Sequence, residues 1–130
     1  MEIARERYVS LTTFRRSGEA VSTPVWIAPL ADGRCGFTTG PDSGKVKRIR
    51  HDGRVELRPC SMRGEVAEGV APVAAAATVV DGGTPAYAEV KRAISAKYGI
   101  QFKLLMVGAA LKRLVGRGGA AEAAVVLTLA

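Results

Sequence analysis

The segment from Thr38 to Arg48 orders hydroxyl, glycine and basic residues in a way that suits anion binding. Thr38 and Thr39 end a predicted strand, a loop through Gly40 to Ser43 follows, and basic residues open a predicted helix. Backbone N–H groups at the start of a helix lack partners within the helix, so they favour a phosphate or carboxylate. The spacing therefore predicts an anion site at the start of this helix.

The basic residues of the predicted helix form two flanks. Lys45 and Arg48 lie three positions apart on one flank, and Lys47 and Arg50 share the other. Only one pair readily faces a single site, and we expect Lys45 and Arg48 because they lie nearer the helix start. The alternative is a solvated basic helix. The pair Gly44-Lys45 does not match a Walker A motif, because the upstream glycine and downstream hydroxyl are misplaced.

A second candidate lies in the run Ser22-Thr23-Pro24-Val25, inside a stretch of β composition. Proline removes a ladder donor, which predicts an edge strand or a bulge at this point. The unpaired backbone beside two hydroxyls suits the edge of a planar heterocycle. The alternative is an ordinary edge strand, and Trp26 next to it is expected to be a core or interface aromatic.

The cysteines and the single histidine give weaker indications of a functional site. Cys60 lies near arginines, which lowers a thiol pKa, but a small core or strand residue is the alternative. His51 is placed at a helix end, where it interacts with the helix dipole. One histidine excludes a multi-histidine metal site and argues against a Ser-His-Asp triad, and Cys35 and Cys60 lack a metal-binding spacing. We predict no metal site.

Length, composition and charge limit the classes of protein to which the chain can belong. The chain has 130 residues, 48% of them hydrophobic, which suits one domain with a real core. Nineteen basic residues against twelve acidic ones give a net charge of +7, and seven basic residues lie between Ser43 and Arg63 against two acidic ones. This balance predicts an anionic partner: nucleic acid, a phosphorylated cofactor or an acidic protein. Aromatic residues make up only 5%, which argues against a base-stacking platform.

The chain shows no run of about 18 apolar residues and begins with charged residues rather than a signal sequence, so we expect a cytoplasmic protein without a membrane span. Residue patterns predict a small α+β, mainly β, barrel with short helices, opening on a three-strand meander. The predicted strands are Tyr8–Phe14, Ala20–Ala28, Arg34–Thr39, Val55–Cys60, Gly64–Ala71, Val73–Val80 and Ala123–Leu129, and the predicted helices are Gly44–Asp52, Pro85–Tyr98 and Phe102–Val115.

Two long motifs carry a resemblance to a known family. VSLTTFRRSGEAVSTPVWIAP and GFTTGPDSGKVKRIRHDGRVELRPCSMRGEV resemble the F420-dependent branch of the pyridoxamine 5′-phosphate oxidase-like split β-barrel flavoproteins. The match runs from about Tyr8 to Val66 and is dense. It implies a split β-barrel homodimer, with two grooves at the subunit interface that bind coenzyme F420, whose phosphate and glutamate tail are anionic.

The resemblance also implies roles for residues, carried over by position. Ser22, Thr23, Pro24 and Val25 would line the edge of the deazaflavin. The phosphate and tail would be held by Thr38, Thr39, Ser43, Lys45, Lys47 and Arg48. Pro59, Cys60 and Arg63 would border the ring or the subunit interface.

This chain departs from the true pyridoxine phosphate oxidases at two places. Those enzymes carry an arginine and a lysine around the second strand, where this chain has Ser22-Thr23-Pro24-Val25, and an arginine where it has Gly44. The absence of these basic residues favours F420 over FMN as the cofactor. We therefore expect an F420H2-dependent reductase acting on a small electron-poor acceptor, with no catalytic side chain assigned. The alternatives are an FMN-binding oxidoreductase and a non-catalytic protein that binds a cofactor or nucleic acid.

Overall fold

Seven strands form one sheet against which two helices pack, in a computed structural model that describes residues 3–99 and 122–129. The strands are β1 (Val9–Phe14), β2 (Ala20–Val25), β3 (Ala28–Pro29), β4 (Cys35–Thr39), β5 (Arg54–Pro59), β6 (Val73–Asp81) and β7 (Ala123–Leu129). The helices are α1 (Gly44–His51) and α2 (Pro85–Tyr98). The strand order is β2-β1-β5-β6-β7-β4-β3, with antiparallel neighbours, so the prediction of a mainly β barrel with short helices is confirmed.

Two clusters of apolar side chains make up the core. The first fills the barrel with residues such as Leu11, Phe37 and Leu57, and α1 adds Ile49 to it. The second packs Val90 and Ile94, with the other buried residues of α2, against β3 and β7. Both helices thus face the sheet through the apolar stripes that their sequences predict.

Gly36 in β4 allows α2 to approach closely. A Cβ atom at this position would lie 2.9 Å from the carbonyl oxygen of Val125 and 3.0 Å from Cγ2 of Val90. A side chain here would push α2 away from the sheet. In the part of the chain that the structure describes, neither helix is long and apolar enough to cross a membrane.

The predicted meander is wrong. β1 and β2 form the expected hairpin, and Pro24 lies in an edge strand as predicted, but the predicted strand Ala20–Ala28 breaks at Trp26 and Ile27. The next long strand, β4, pairs with β7 near the other end of the sheet. Hairpin signals are local, whereas this pairing depends on the break, where Ile27 enters the first core and Trp26 packs on the second.

The prediction of a strand at Gly64–Ala71 is also wrong. These residues, all within the described part of the chain, are irregular apart from a turn at Glu68 and Gly69, and Gly64 and Gly69 have φ angles of +88° and +82°. Such angles interrupt a strand. The alanine-rich strand β6 is confirmed because it pairs with β5 and β7 on its two sides. The predicted helix Phe102–Val115 lies outside the described residues.

Candidate functional site

The start of α1 is fixed by a side-chain cap and by two buried residues. The backbone N–H of Val46 donates to Oγ of Ser43, which also lies 3.1 Å from Oγ1 of Thr39 at the end of β4. Val46 and Ile49 are buried and set the rotation of the helix about its axis. The hydroxyls of the loop and the first turn of α1 therefore form one connected unit, as the sequence predicts.

Arg48 joins this unit to the sheet. Its Nε donates a hydrogen bond of 2.6 Å to Oγ1 of Thr13 in β1, and the hydroxyl of Thr13 lies 3.5 Å from the carbonyl oxygen of Val21 in β2, to which it donates. Thr13 is fully buried, so this contact is shielded from solvent. A chain of hydrogen bonds thus runs from α1 to the edge strand that carries the second candidate segment.

The side chain of Arg48 folds back over Gly44. A Cβ atom at Gly44 would lie only 2.8 Å from Nη1 of Arg48. The guanidinium therefore occupies the space that a side chain at position 44 would fill. The pyridoxine phosphate oxidases that the chain resembles carry an arginine where this chain has Gly44. Here the guanidinium of Arg48, one turn further along the helix, lies at this place.

A basic groove opens between α1 and the β1–β2 turn. Its volume is about 370 Å³, and it is lined by Phe14, Arg15, Arg16, Gly44, Lys47, Arg48 and His51. The expectation that Lys47 faces away from the site of Arg48 is wrong, because the folded-back arginine reaches the face that carries Lys47. Lys45 is half-buried beside this groove, and burial together with the charge of Arg48 lowers its pKa.

The basic residues fall into two groups, according to whether a carboxylate lies close to them. Arg50, Arg54 and Arg58 lie 3.6–3.7 Å from the carboxylates of Asp81, Asp52 and Glu56. By contrast, among residues 3–99 and 122–129 no carboxylate pairs with the basic residues nearest the start of α1, namely Lys45, Lys47 and Arg48. Three basic residues without a carboxylate partner among the described residues therefore lie where the sequence predicts an anion.

The second segment lies along the same two strands. Ser22 of β2 is paired with Thr12 of β1 through their hydroxyls, 2.8 Å apart. Pro24 is exposed, and a Cβ atom at Gly64 would lie 3.4 Å from its Cδ. Pro24 therefore meets the turn that contains Arg63, and the structure brings together the two groups that the resemblance places beside the ring.

Ser61 builds that turn. Its Oγ accepts hydrogen bonds from the backbone N–H groups of Arg63 and Glu65, at 3.2 and 3.1 Å. Neither Ser61 nor Thr13 was a candidate in the sequence. The Ser-x-x-Gly spacing is a turn signal that points to Ser61, whereas Thr13 has no sequence signal because it lies within an ordinary β-branched run.

The two ends of the candidate site are separated along β1. Val9 is flanked by Val25 and Pro59 in neighbouring strands, and Thr13, which binds Arg48, lies four residues later in the same strand. At about 3.3 Å a residue this is roughly 13 Å. The residues thus suit an extended ligand with a flat end near Pro24 and an anionic end near α1.

Cys60 does not have the thiolate character that nearby arginines would give. Burial raises its pKa, so the expectation of a lowered pKa is wrong and the reading as a strand-end residue holds. Its backbone N–H donates to the carbonyl of Tyr8. Trp26 is partly buried, packs on the second core cluster and stacks on Tyr98 with ring centroids 5.0 Å apart, which fits the expectation of a core or interface aromatic. In the described ranges, no three His, Cys, Asp or Glu side chains are grouped to hold a metal ion.

The sequence matches no protein-family model and no curated protein. Solved structures do match. HutZ, the haem storage protein of Vibrio cholerae, has a TM-score of 0.68 at 14% identity, over 99% of this chain and 86% of that one. Rv2991 of Mycobacterium tuberculosis has a TM-score of 0.62 at 18% identity, over 98% and 76%. A protein described as an F420 reductase has a TM-score of 0.61 at 14% identity, over 99% and 90%.

These likenesses define the fold. The chain adopts the split β-barrel of the pyridoxamine 5′-phosphate oxidase-like proteins, with its mostly β sheet and two helices. At such identities the likeness carries the fold alone, and the neighbours' names differ in the ligands they mention. The choice of ligand must therefore be argued from this chain's own residues.

Proposed function

We propose that this protein is an F420H2-dependent reductase that works as a homodimer in the cytoplasm. The observation that carries the proposal is the positive charge of Lys45, Lys47 and Arg48 at the start of α1, which pairs with no carboxylate of the described residues. Arg48 joins it through Thr13 to the edge strand with Ser22–Val25. A phosphate followed by glutamates suits this charge, and a flat chromophore suits the exposed edge near Pro24. The split β-barrel fold and the F420 reductase among its neighbours support the same choice.

The residues present fit the anionic part of the cofactor. Ser43, Thr38 and Thr39 offer hydroxyls, and the first turn of α1 offers free backbone N–H groups. Lys45 provides a half-buried positive charge next to them, while Lys47 and Arg48 provide charge along the basic groove. We assign the phosphate to the helix start with Lys45, and the glutamate tail to Lys47 and Arg48.

The residues near Pro24 fit the ring. Ser22 and Thr23 would present the edge of β2 to the ring, whereas Val25 is buried and anchors the strand in the core. Pro59, Cys60 and Arg63 would border the ring or the subunit interface. When bound, the reduced deazaflavin supplies a hydride from its C5 to an electron-poor acceptor. The contribution of the protein is to bind, orient and exclude water, and a second subunit would close the groove that one chain of this size leaves open.

FMN is the cofactor from which F420 must be distinguished. Arg48 places a guanidinium over Gly44, so the absence of an arginine from position 44 no longer separates F420 from FMN. The preference for F420 then depends on β2, which presents Ser22–Val25 where the oxidases carry an arginine and a lysine, and on the surplus of charge beyond one phosphate.

The proposal is tested by titrating the protein with F420, FMN and haem and following fluorescence or absorbance. We expect F420 to bind at least about tenfold more tightly than FMN, which is about 1.4 kcal/mol. Light scattering of the complex should give the mass of a dimer. Equal or tighter binding of FMN would replace the F420 assignment with an FMN protein, and binding of haem alone would replace it with a haem protein.

A further inference from the structure

The end of α2 holds two distant segments together through partly buried hydrogen bonds. Nζ of Lys97 donates to the carbonyl oxygens of Ala4 at 2.8 Å and Ile27 at 2.6 Å, and also to that of Glu6. An ammonium group has three N–H donors, and here it meets three carbonyl acceptors. We call this arrangement the Lys97 clamp.

Tyr98 reinforces the clamp at the same point. Its hydroxyl lies 2.7 Å from the carbonyl oxygen of Arg7 and 3.0 Å from that of Ile27, and its ring stacks on Trp26. Two consecutive residues of α2 therefore contact the carbonyl of Ile27, and they hold the bend at Trp26–Ile27, where the chain leaves β2.

The bend follows directly on Val25, the last residue of the segment that we assign to the cofactor ring. Among the described strands β2 pairs only with β1, so it is an edge strand there. Its last residue leads directly into the bend, which restrains this end of the strand. We propose that Lys97 is a positioning residue, whose ammonium group holds the bend at Ile27 and so keeps Ser22–Val25 in the orientation that receives the cofactor. The identity of the ligand in this proposal rests on the proposed function, whereas the contacts of Lys97 with the bend do not depend on any ligand.

The hold of Lys97 varies with its charge. Burial lowers the pKa of its ammonium group to about 8, against the opposing effects of Glu6 and Cys35. A lowered pKa means that the closed clamp favours the neutral amine relative to an open state in water, so the bend opens less often as the pH rises through this value. Of the neighbouring groups, Cys35 and Tyr98 have pKa values raised by burial to about 11 and about 12, which lie above that range. The remaining charges near the clamp are Glu6 and Arg7, which flank the two N-terminal carbonyls, and Arg5, which shares a groove with Lys97.

The test uses Trp26, the single tryptophan of the chain, as a reporter inside the clamp. Parent, Lys97→Arg and Lys97→Met proteins are compared by tryptophan emission and by amide hydrogen exchange of residues 20–27, between about pH 6.5 and pH 9.5. With exchange expressed as protection relative to the intrinsic rate at each pH, we expect the emission and the protection of the parent to change with a midpoint near pH 8, protection rising with pH. Lys97→Arg, whose guanidinium stays charged, should show no such change, and Lys97→Met, which has no donor for the carbonyls, should be less protected than the parent throughout.

Cofactor affinity is measured separately on the same proteins. Lys97→Met should bind about tenfold more weakly than the parent at pH 7, and Lys97→Arg should restore binding. If the parent binds none of the cofactors, the proposed function fails while the emission and exchange data still decide the clamp. A parent whose emission and exchange do not vary with pH, with unchanged exchange in Lys97→Met, would overturn the positioning role. Thermal melts identify a variant that has not folded, in which case the pH profiles of the parent and Lys97→Arg decide.

Discussion

Arg48 links the chemistry of the site to the fold. Its Nε is held by the buried hydroxyl of Thr13, while its guanidinium lies over Gly44 at the start of α1. A charge-assisted hydrogen bond to a buried partner holds an arginine more firmly than solvent-exposed contacts do. The positive charge is therefore fixed in place before a ligand arrives, which reduces the ordering cost of binding.

Lys45 and Lys47 should differ in their importance. Lys45 is half-buried, so its replacement by alanine removes a weakly screened charge-assisted bond, worth about 1.5–3 kcal/mol or more than about tenfold in F420 affinity. Lys47 is exposed and screened by water, and its replacement should cost about 0.2–1 kcal/mol, less than about sixfold. Titration of both variants with F420 checks the order.

Arg50 is the matched control, because it lies on the same helix but pairs with Asp81. Arg50→Ala should bind F420 like the parent. Parent-like affinity in Lys45→Ala would mean that the basic residues of α1 form a solvated face, and a larger loss in Lys47→Ala would move the phosphate into the basic groove.

At the scale of elements, helix starts and strand composition were readable from the sequence, and strand pairing was not. Ser43 and Thr84 are caps that mark the starts of α1 and α2, and both helices begin where these residues predict. β4 shows the limit: its own residues predict a strand, but its partner β7 lies more than 80 residues later. Local patterns carry no information about such a pairing.

The candidate site, like the fold, was predictable from the sequence only in part. The sequence singled out the start of α1 and the Pro24 segment because glycine, proline and hydroxyl residues signal them locally. Which basic residues share a face was predicted wrongly, because an ideal helix projection ignores the reach of a long side chain. Arg48 crosses to the face of Lys47 only because Thr13 offers an acceptor and Gly44 leaves space.

The cap of α1 gives a prediction about an element. Ser43→Ala removes the side-chain acceptor for the N–H of Val46 and should lower the stability of the fold by about 1 kcal/mol, seen as a lower melting temperature. It should also weaken F420 binding, because Ser43 lies at the proposed phosphate site. Thr84→Ala removes the equivalent cap of α2, at Tyr87, and should lower stability alone. If both variants keep full affinity for F420, Ser43 is a cap and no part of the site.

At the scale of the whole molecule, the fold and the ligand are decided by different features. The split β-barrel is set by apolar strands and by the packing of two helices, and solved structures share it at 14–18% identity. In the proposed function the ligand is chosen by a small surface where Lys45, Lys47 and Arg48 have no carboxylate partner among the described residues. A change in these residues should alter ligand binding without altering the barrel, because they lie outside both core clusters.

In the proposed function the start of α1 binds the anionic part of F420. The most direct measurement compares F420 with its deazaflavin fragment that lacks the phosphate and the glutamate tail, titrated against the parent protein by fluorescence. If Lys45, Lys47 and Arg48 hold that part, the fragment should bind at least about tenfold more weakly, and the difference should shrink as salt is added. Equal affinity for F420 and the fragment, at low salt and at high salt alike, would contradict the account.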